Sequence, residues 1–292
     1  MLSYIHAFHA GNHADILKHI VLSFSLEHLC KKEKPFTVFD THAGSGLYRL
    51  DDERLEKTGE AESGIKLLFS TLASQKSRFS GSEAKAAKEI ENSVFFKIVR
   101  PYFEKNTYPG SPLVENAFLR PGDEQVLSEL HPCTIEELTF TMEKYRSEAA
   151  KPHIHFRNGF EMLLSLVPPK TKRGLVIIDP SFEEKADFED AAKTICQLLR
   201  KWRGAVVLLW YPLVPHRKTE ISMMKERISA IVQSEEKIAD FQLVVKDESE
   251  LTGLSSLYGS GMFVVNPPFG LAQKMENILP LLEKILSGKI SD

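Results

Sequence analysis

Residues 36–46 read Phe-Thr-Val-Phe-Asp-Thr-His-Ala-Gly-Ser-Gly, a short apolar run closed by an acid and followed by a loop with two glycines. The run lacks the alternation of a strand with one wet face, as expected where helices cover both sides of a parallel sheet. Two further runs share this form, Leu-Val-Ile-Ile-Asp at 175–179 and Ala-Val-Val-Leu-Leu-Trp at 205–210. Weaker strand candidates lie at 126–130, 154–156, 242–245 and 262–266. Helical patterns fall around them, at 13–30, 159–167, 187–199, 222–233 and 273–286. Alternating strands and helices predict an α/β protein built on a doubly wound, mostly parallel sheet of seven strands.

The alternation breaks between residues 51 and 105, which are charged, helix-prone and without a good strand. In a nucleotide-type sheet the second strand ends about 20 residues beyond the glycine loop, on an acid that holds the ribose. Here the next acid at a strand end is Glu129, far downstream of Asp40. The expectation is a single domain over 1–292 that carries a helical insertion at about 52–106.

Composition narrows the class. With 42% apolar residues in 292, the chain buries a substantial core, which excludes a disordered scaffold. Lys and Arg number 37 against 40 Asp and Glu, a formal charge of -3. That excludes a globally basic nucleic-acid coat protein and leaves room for a local basic face. Cys30, Cys133 and Cys196 are scattered without a C-x-x-C pair, which suits reduced thiols rather than a disulfide frame or a zinc finger. The longest apolar stretch, 205–214, falls far short of the roughly 20 residues of a membrane span, and the N-terminus is too polar for a signal peptide. A cytoplasmic monomer without membrane contact is expected.

Ligands of open α/β sheets bind beyond the carboxyl ends of the strands. Asp40, Glu129, Asn158 and Asp179 each end or follow a strand-like run, so all four should gather at one edge. Asp and Asn favour such turns anyway, but four on different strands point to a site. The glycine loop lacks the third glycine of a dinucleotide fingerprint, since Arg49 stands there. It suits a nucleoside without phosphates, such as S-adenosylmethionine, better than a pyrophosphate.

Asp179-Pro180-Ser181-Phe182 resembles the [DN]-P-P-[FY] tetrad of amino-group methyltransferases. An exocyclic amine on adenine is a poor nucleophile because its lone pair is delocalised into the ring. A carboxylate and a backbone carbonyl that accept its N–H bonds draw the nitrogen toward a tetrahedral shape. The Asp179 side chain and the Pro180 carbonyl supply these acceptors, and Phe182 offers a stacking face for a flipped base. Five of the ten histidines, His6, His9, His13, His19 and His28, crowd the N-terminus. His9 and His13 have a spacing used for zinc, but no H-E-x-x-H or third ligand accompanies them. No metal is expected.

The opening residues Met1-Leu-Ser-Tyr4, His6, Phe8 through Asp15 and Leu17-Lys-His19 are similar to the signature of the bacterial 23S ribosomal RNA adenine-N6 methyltransferase family, RlmJ. So are Asp40 through Gly44, Tyr108 through Pro112, Glu129 through Pro132, Trp210-Tyr-Pro212 and Gly261 through Pro268, in one collinear order. The resemblance implies a Rossmann-like, S-adenosylmethionine-dependent methyltransferase fold with a small helical insertion, acting on N6 of an adenine in 23S ribosomal RNA. It implies that His19, His42, Ser111, Glu129, Asn158, Gly159 and Asp179 line the methyl-donor pocket. Glu129 would then accept the ribose hydroxyls, and Asn158 would meet the donor's adenine edge. Asp179, with Pro180 and Phe182, would be catalytic, and Tyr4, His6 and Lys18 would touch the RNA.

Two departures from the family pattern stand out. Ser181 and Phe182 replace the usual proline and tyrosine, and Asn158 replaces the usual aspartate. A neutral acceptor at 158 should weaken donor binding by about tenfold, since hydrogen bonds to charged partners are worth roughly 1 kcal/mol more. Arg217 and Lys218 follow a strand and should join Lys18 as phosphate contacts, whereas Lys170, Lys172 and Arg173 precede one and belong to the opposite edge. Two alternatives remain at this point: a DNA adenine-N6 methyltransferase, and a non-catalytic rRNA-binding or assembly protein with a relaxed site.

Overall fold

The computed structural model of the chain describes residues 9–74, 78–232, 234–251 and 257–290. In chain order, α1 (His13–Cys30) leads to β1 (Thr37–Asp40) and β2 (Leu47–Arg49). The helices α2 (Glu53–Thr58), α3 (Leu67–Ser74), α4 (Gly81–Asn92) and α5 (Val94–Phe103) follow, then β3 (Thr107–Pro109) and α6 (Ser111–Asn116). Next come β4 (Glu124–Glu129), α7 (Pro132–Tyr145), β5 (His153–Phe156), α8 (Gly159–Leu166), β6 (Gly174–Ile178) and α9 (Lys185–Lys201). The chain ends with β7 (Val206–Leu213), α10 (Lys218–Val232), β8 (Ile238–Val244), β9 (Gly259–Val265) and α11 (Leu271–Leu286).

Seven strands form one sheet in the order β5-β4-β1-β6-β7-β9-β8. All neighbours pair in parallel up to β7, and only β9 runs against its neighbours β7 and β8. This is the mostly parallel, doubly wound sheet that the sequence predicts. The chain lays β4 and β5 on one side of β1 and β6 on the other, so strand order reverses at the β1–β6 junction.

Both faces are covered, which explains the missing alternation in the sequence. Val38, Leu175, Ile177 and Leu208 pack on one side, with α1 and α11, while Phe39, Val176, Ile178 and Leu209 pack on the other, with α8, α9 and α10. α1 is buried on nearly its whole circumference from Ala14 to Leu26. It starts on Asn12, whose side chain accepts the Asp15 N–H at 2.9 Å and caps the first turn.

α2 to α5 all lie between β2 and β3, which pair antiparallel, and the Leu50 N–H donates to the Asn106 carbonyl at 2.9 Å where the chain leaves and returns. These helices have no separate core: Leu68, Leu72, Phe95 and Val99 share one apolar cluster with Ile16, Leu17 and Ile20 of α1. The β2–β3 ribbon and the helices α6 and α7 are elements that the sequence reading did not anticipate. Among the described residues, no helix is long and apolar enough to cross a membrane.

Candidate active site

Asp40 ends β1 beside Ile177 of β6, Glu129 ends β4, Asn158 follows β5 and Asp179 follows β6. The four strand-end residues therefore meet at one edge, above the junction where strand order reverses and a crevice is expected. A cavity of about 340 Å³ opens there, within the size range of small-molecule sites. His19, His42, Ser111, Glu129, Asn158, Gly159, Asp179 and Pro180 all line it, together with Thr41, Gly44 and Tyr48.

Its walls are tightly defined. Glu129 accepts the N–H groups of Leu130 (2.8 Å) and His131 (2.7 Å) on one oxygen and that of Gly44 (3.0 Å) on the other, which fixes the carboxylate across the glycine loop. Gly44 has φ +61°, and a Cβ there would lie 2.3 Å from the Tyr48 hydroxyl. A Cβ on Gly159 would lie 1.9 Å from the Thr41 carbonyl oxygen, so α8 starts in direct contact with the loop after β1. Asp40 sits beneath the cavity, accepting from the Ser111 hydroxyl (2.7 Å) and the His42 N–H (3.1 Å). Burial pushes its pKa up to about 6 against these bonds. Burial also pushes His42 down to about 4, so its imidazole is neutral at neutral pH. His19 shares a 2.8 Å hydrogen bond with the Tyr108 hydroxyl and stacks on that ring.

Asn158 differs from expectation. Its side-chain oxygen accepts the N–H groups of Phe160 (2.9 Å) and Glu161 (3.1 Å) and caps α8, so the atom expected to meet a donor amine already serves the helix.

A second cavity, about 370 Å³, adjoins the first, and Asp179, Lys18, Ser181 and Glu183 line both. Its other walls include His9, Asn12, Ala14, Phe182, Trp210 and Pro212. The Asp179 carboxylate thus stands where the two cavities meet. It pairs with the Lys18 ammonium, which also lies 2.9 Å from Asp15. Burial opposes the Lys18 charge, but the two carboxylates outweigh it and hold its pKa well above the ordinary value.

That arrangement corrects the expectation for Lys18. The residue is 5% exposed and its ammonium is committed to two carboxylates; the structure shows it as a buried counter-ion lining both cavities rather than a cation on an open basic face. Arg217 is likewise pinned, donating to the Glu183 carbonyl at 3.0 Å, and Lys218 pairs with Glu248 at 2.6 Å. Phe182 lines the second cavity but is only 5% exposed, its ring packed on Phe188 and Trp210 at centroid distances of 4.5 and 5.9 Å. Less of its face is open to a base than the tetrad suggests, and the partly exposed Trp210 beside it adds aromatic surface. Its backbone is left-handed, with φ +52°. Tyr4 and His6 lie outside the described residues. Arg173 donates to the Lys34 carbonyl at 2.6 Å, on the edge opposite the cavities, as expected for the turn before β6. His9 pairs with Glu60 at 2.9 Å, and among the described residues no cluster of His, Cys, Asp or Glu is arranged to hold a metal.

Sequence reasoning missed Trp210, Thr41 and Tyr48 as parts of these walls, and the fully buried Tyr108 as the support behind His19. Trp210, Thr41 and Tyr108 stand in motifs quoted for the resemblance, so their position in the chain was the available signal.

Comparison with known proteins shows the family. Residues 33–291 match the family described as ribosomal RNA large subunit methyltransferase D, RlmJ. Two similar proteins, both named ribosomal RNA large subunit methyltransferase J, come from Escherichia coli K12 (34% identity) and Haemophilus influenzae (37%); each alignment covers 98% of this chain and 94% of the relative. A solved structure, protein LPL1258 from Legionella pneumophila, superposes with a TM-score of 0.76 at 28% identity, covering 96% of this chain and 94% of that one.

Proposed function

The chain belongs to the ribosomal RNA large subunit methyltransferase D, RlmJ family, and on that premise we propose that it transfers a methyl group from S-adenosylmethionine to the N6 amine of an adenine in 23S ribosomal RNA. The observation that carries this reading is the position of Asp179, on the wall shared by two adjoining cavities. One cavity suits the donor and the other a nucleobase turned out of its stack.

The donor fits the first cavity by its chemistry. Glu129 presents a fixed carboxylate for paired hydroxyls, the closely packed Gly44 and Gly159 leave room for a flat nucleoside, and no third glycine cradles phosphates. His19, His42, Ser111, Asn158 and Gly159 complete this pocket. When bound, the donor supplies an electrophilic methyl on a sulfonium. The rest is the work of the chain. The Asp179 carboxylate and the Pro180 carbonyl accept the two N–H bonds of the amine, which localises its lone pair and aims it at the donor cavity. Lys18 holds one Asp179 oxygen in place, leaving the carboxylate fixed for the amine. The amine held by Asp179 and Pro180 would take the methyl that the bound donor supplies, leaving the sulfur as a neutral thioether, and would give up its extra proton to solvent. Positioning and preorganised charge supply most of the rate.

The 23S RNA is the proposed partner, reached from the side of the second cavity, with Tyr4 and His6 as further RNA contacts. A monomer is the proposed working form, and a reaction on ribosomal RNA fits a cytoplasmic location. Mass spectrometry of 23S RNA fragments incubated with the protein and donor tests this. Wild type should add one methyl to an adenine, and Asp179→Ala should lose about 10²–10³-fold in rate while keeping its native circular dichroism, with a lowered unfolding temperature because Lys18 loses one of its two carboxylate partners. Near-normal methylation by Asp179→Ala would overturn the assignment.

A further inference from the structure

The wall of the second cavity formed by His9, Asn12, Ala14 and Asp15 is held by the stretch between β2 and β3. Glu60, between α2 and α3, takes both polar side chains at once. Its Oε1 accepts from His9 Nδ1 at 2.9 Å and its Oε2 accepts from Asn12 Nδ2 at 2.8 Å. The same inserted stretch docks on the backbone as well: the Ile65 N–H donates to the Gly11 carbonyl at 2.8 Å. Gly64 fits against that turn so closely that a Cβ would lie 2.2 Å from the Gly11 oxygen and 2.8 Å from the Asn12 Cα.

From this clamp a chain of contacts runs to the reacting edge. Asn12 caps α1 through the Asp15 N–H, Asp15 accepts the Gly11 N–H at 2.9 Å and pairs with Lys18, and Lys18 holds Asp179. Neither Glu60, His9 nor Asn12 lines the first cavity. The two side chains that Glu60 holds, His9 and Asn12, both line the second cavity and neither lines the first, so the insertion meets the nucleobase side through them.

We propose that Glu60 is a positioning residue for the RNA substrate, and that the helical insertion acts as a nucleobase-side clamp which sets the His9–Asn12 wall against the incoming nucleotide. This deepens the proposed methyl transfer and rests on the second cavity being the one that receives the base. Without Glu60, two wall side chains lose their fixed orientation and must be ordered when RNA binds, a cost that appears in RNA affinity.

The test measures the wild type, Glu60→Ala and Glu60→Gln by fluorescence anisotropy with a 23S RNA fragment and by calorimetry with S-adenosylmethionine. Glu60→Ala should weaken RNA binding about tenfold, equivalent to about 1.4 kcal/mol, with a matching rise in the RNA KM. Donor Kd, kcat and unfolding temperature should stay within about twofold or a few degrees of wild type. Glu60→Gln keeps an acceptor oxygen for Asn12 and should recover most of the affinity. Unchanged RNA affinity in Glu60→Ala would overturn the proposal. Equal losses of RNA and donor affinity would also overturn it, since Glu60 would then be a general structural contact. Methyl transfer by the wild type, measured separately, reports on the enzymatic reading itself, so the two ideas can fail independently.

Discussion

Asn158 shows how one atom can be needed twice. Its amide oxygen caps α8 through two N–H groups, and the same side chain faces the donor cavity. An aspartate would make the same cap, add a negative charge at a helix N-terminus worth about 0.3–1 kcal/mol, and offer a charged acceptor to the donor amine. Asn158→Asp should therefore raise the unfolding temperature slightly and tighten donor Kd by about five- to tenfold, measured by calorimetry. Unchanged or weaker donor binding would show that this side chain serves only the helix. The strand-end acids were legible at this scale, because an acid closing an apolar run has few other places to go. Lys18 was not. A lysine near the chain start reads as a surface cation, and only burial of α1 on all sides turns its ammonium into the counter-ion of Asp179. Gly159 was equally opaque in its steric role, since the atom that excludes a side chain there is the Thr41 carbonyl of another element.

At the level of elements, the sheet was readable and two of its coverings were not. Strand runs such as 175–178 are apolar on both faces, so the period of two that separates Leu175 and Ile177 from Val176 and Ile178 appears only once the two helical layers are in place. α7 escaped because it buries little beyond Leu138, Thr141 and Met142, too narrow a stripe to stand out in the sequence Pro-Cys-Thr-Ile-Glu-Glu-Leu. α6 is short and carries an unusual load: Glu115 is fully buried, its Oε2 accepting from Gln125 Nε2 at 2.8 Å. Burial, reinforced by the nearby Asp40, raises its pKa well above the ordinary value. The sign follows. Above about pH 4.5 the unfolded chain releases this proton while the folded chain keeps it, so Glu115 costs stability increasingly as pH rises. Relative to wild type, Glu115→Gln should gain stability as pH rises above about 4.5, with a slope of at most about 1.4 kcal/mol per pH unit, followed by urea unfolding. A difference independent of pH would mean that Glu115 ionises normally in the fold.

Across the whole molecule, the inserted helices and the sheet are one packing unit. α3 and α5 complete the apolar cover of α1, and α1 in turn delivers Lys18 and Asp15 to the reacting edge. The break in strand–helix alternation marked residues 51–105 as a helical stretch, but its composition carried no sign of where it docks, because Glu60, Gly64 and Ile65 acquire meaning only opposite Gly11 and Asn12. A formal charge of -3 is compatible with RNA recognition if binding energy comes from a shaped nucleobase cavity more than from a broad basic face. The central claim is that donor and nucleobase occupy separate cavities that touch at one carboxylate. A crystal structure with the demethylated donor, S-adenosylhomocysteine, and adenosine measures it most directly. The ribose and adenine of S-adenosylhomocysteine should lie between Glu129 and Gly159 with its thioether turned toward Asp179, and the adenine amine of the nucleoside should lie within hydrogen-bond reach of the Asp179 carboxylate from the other cavity. Adenosine bound elsewhere, or the two molecules separated by intervening protein, would contradict it.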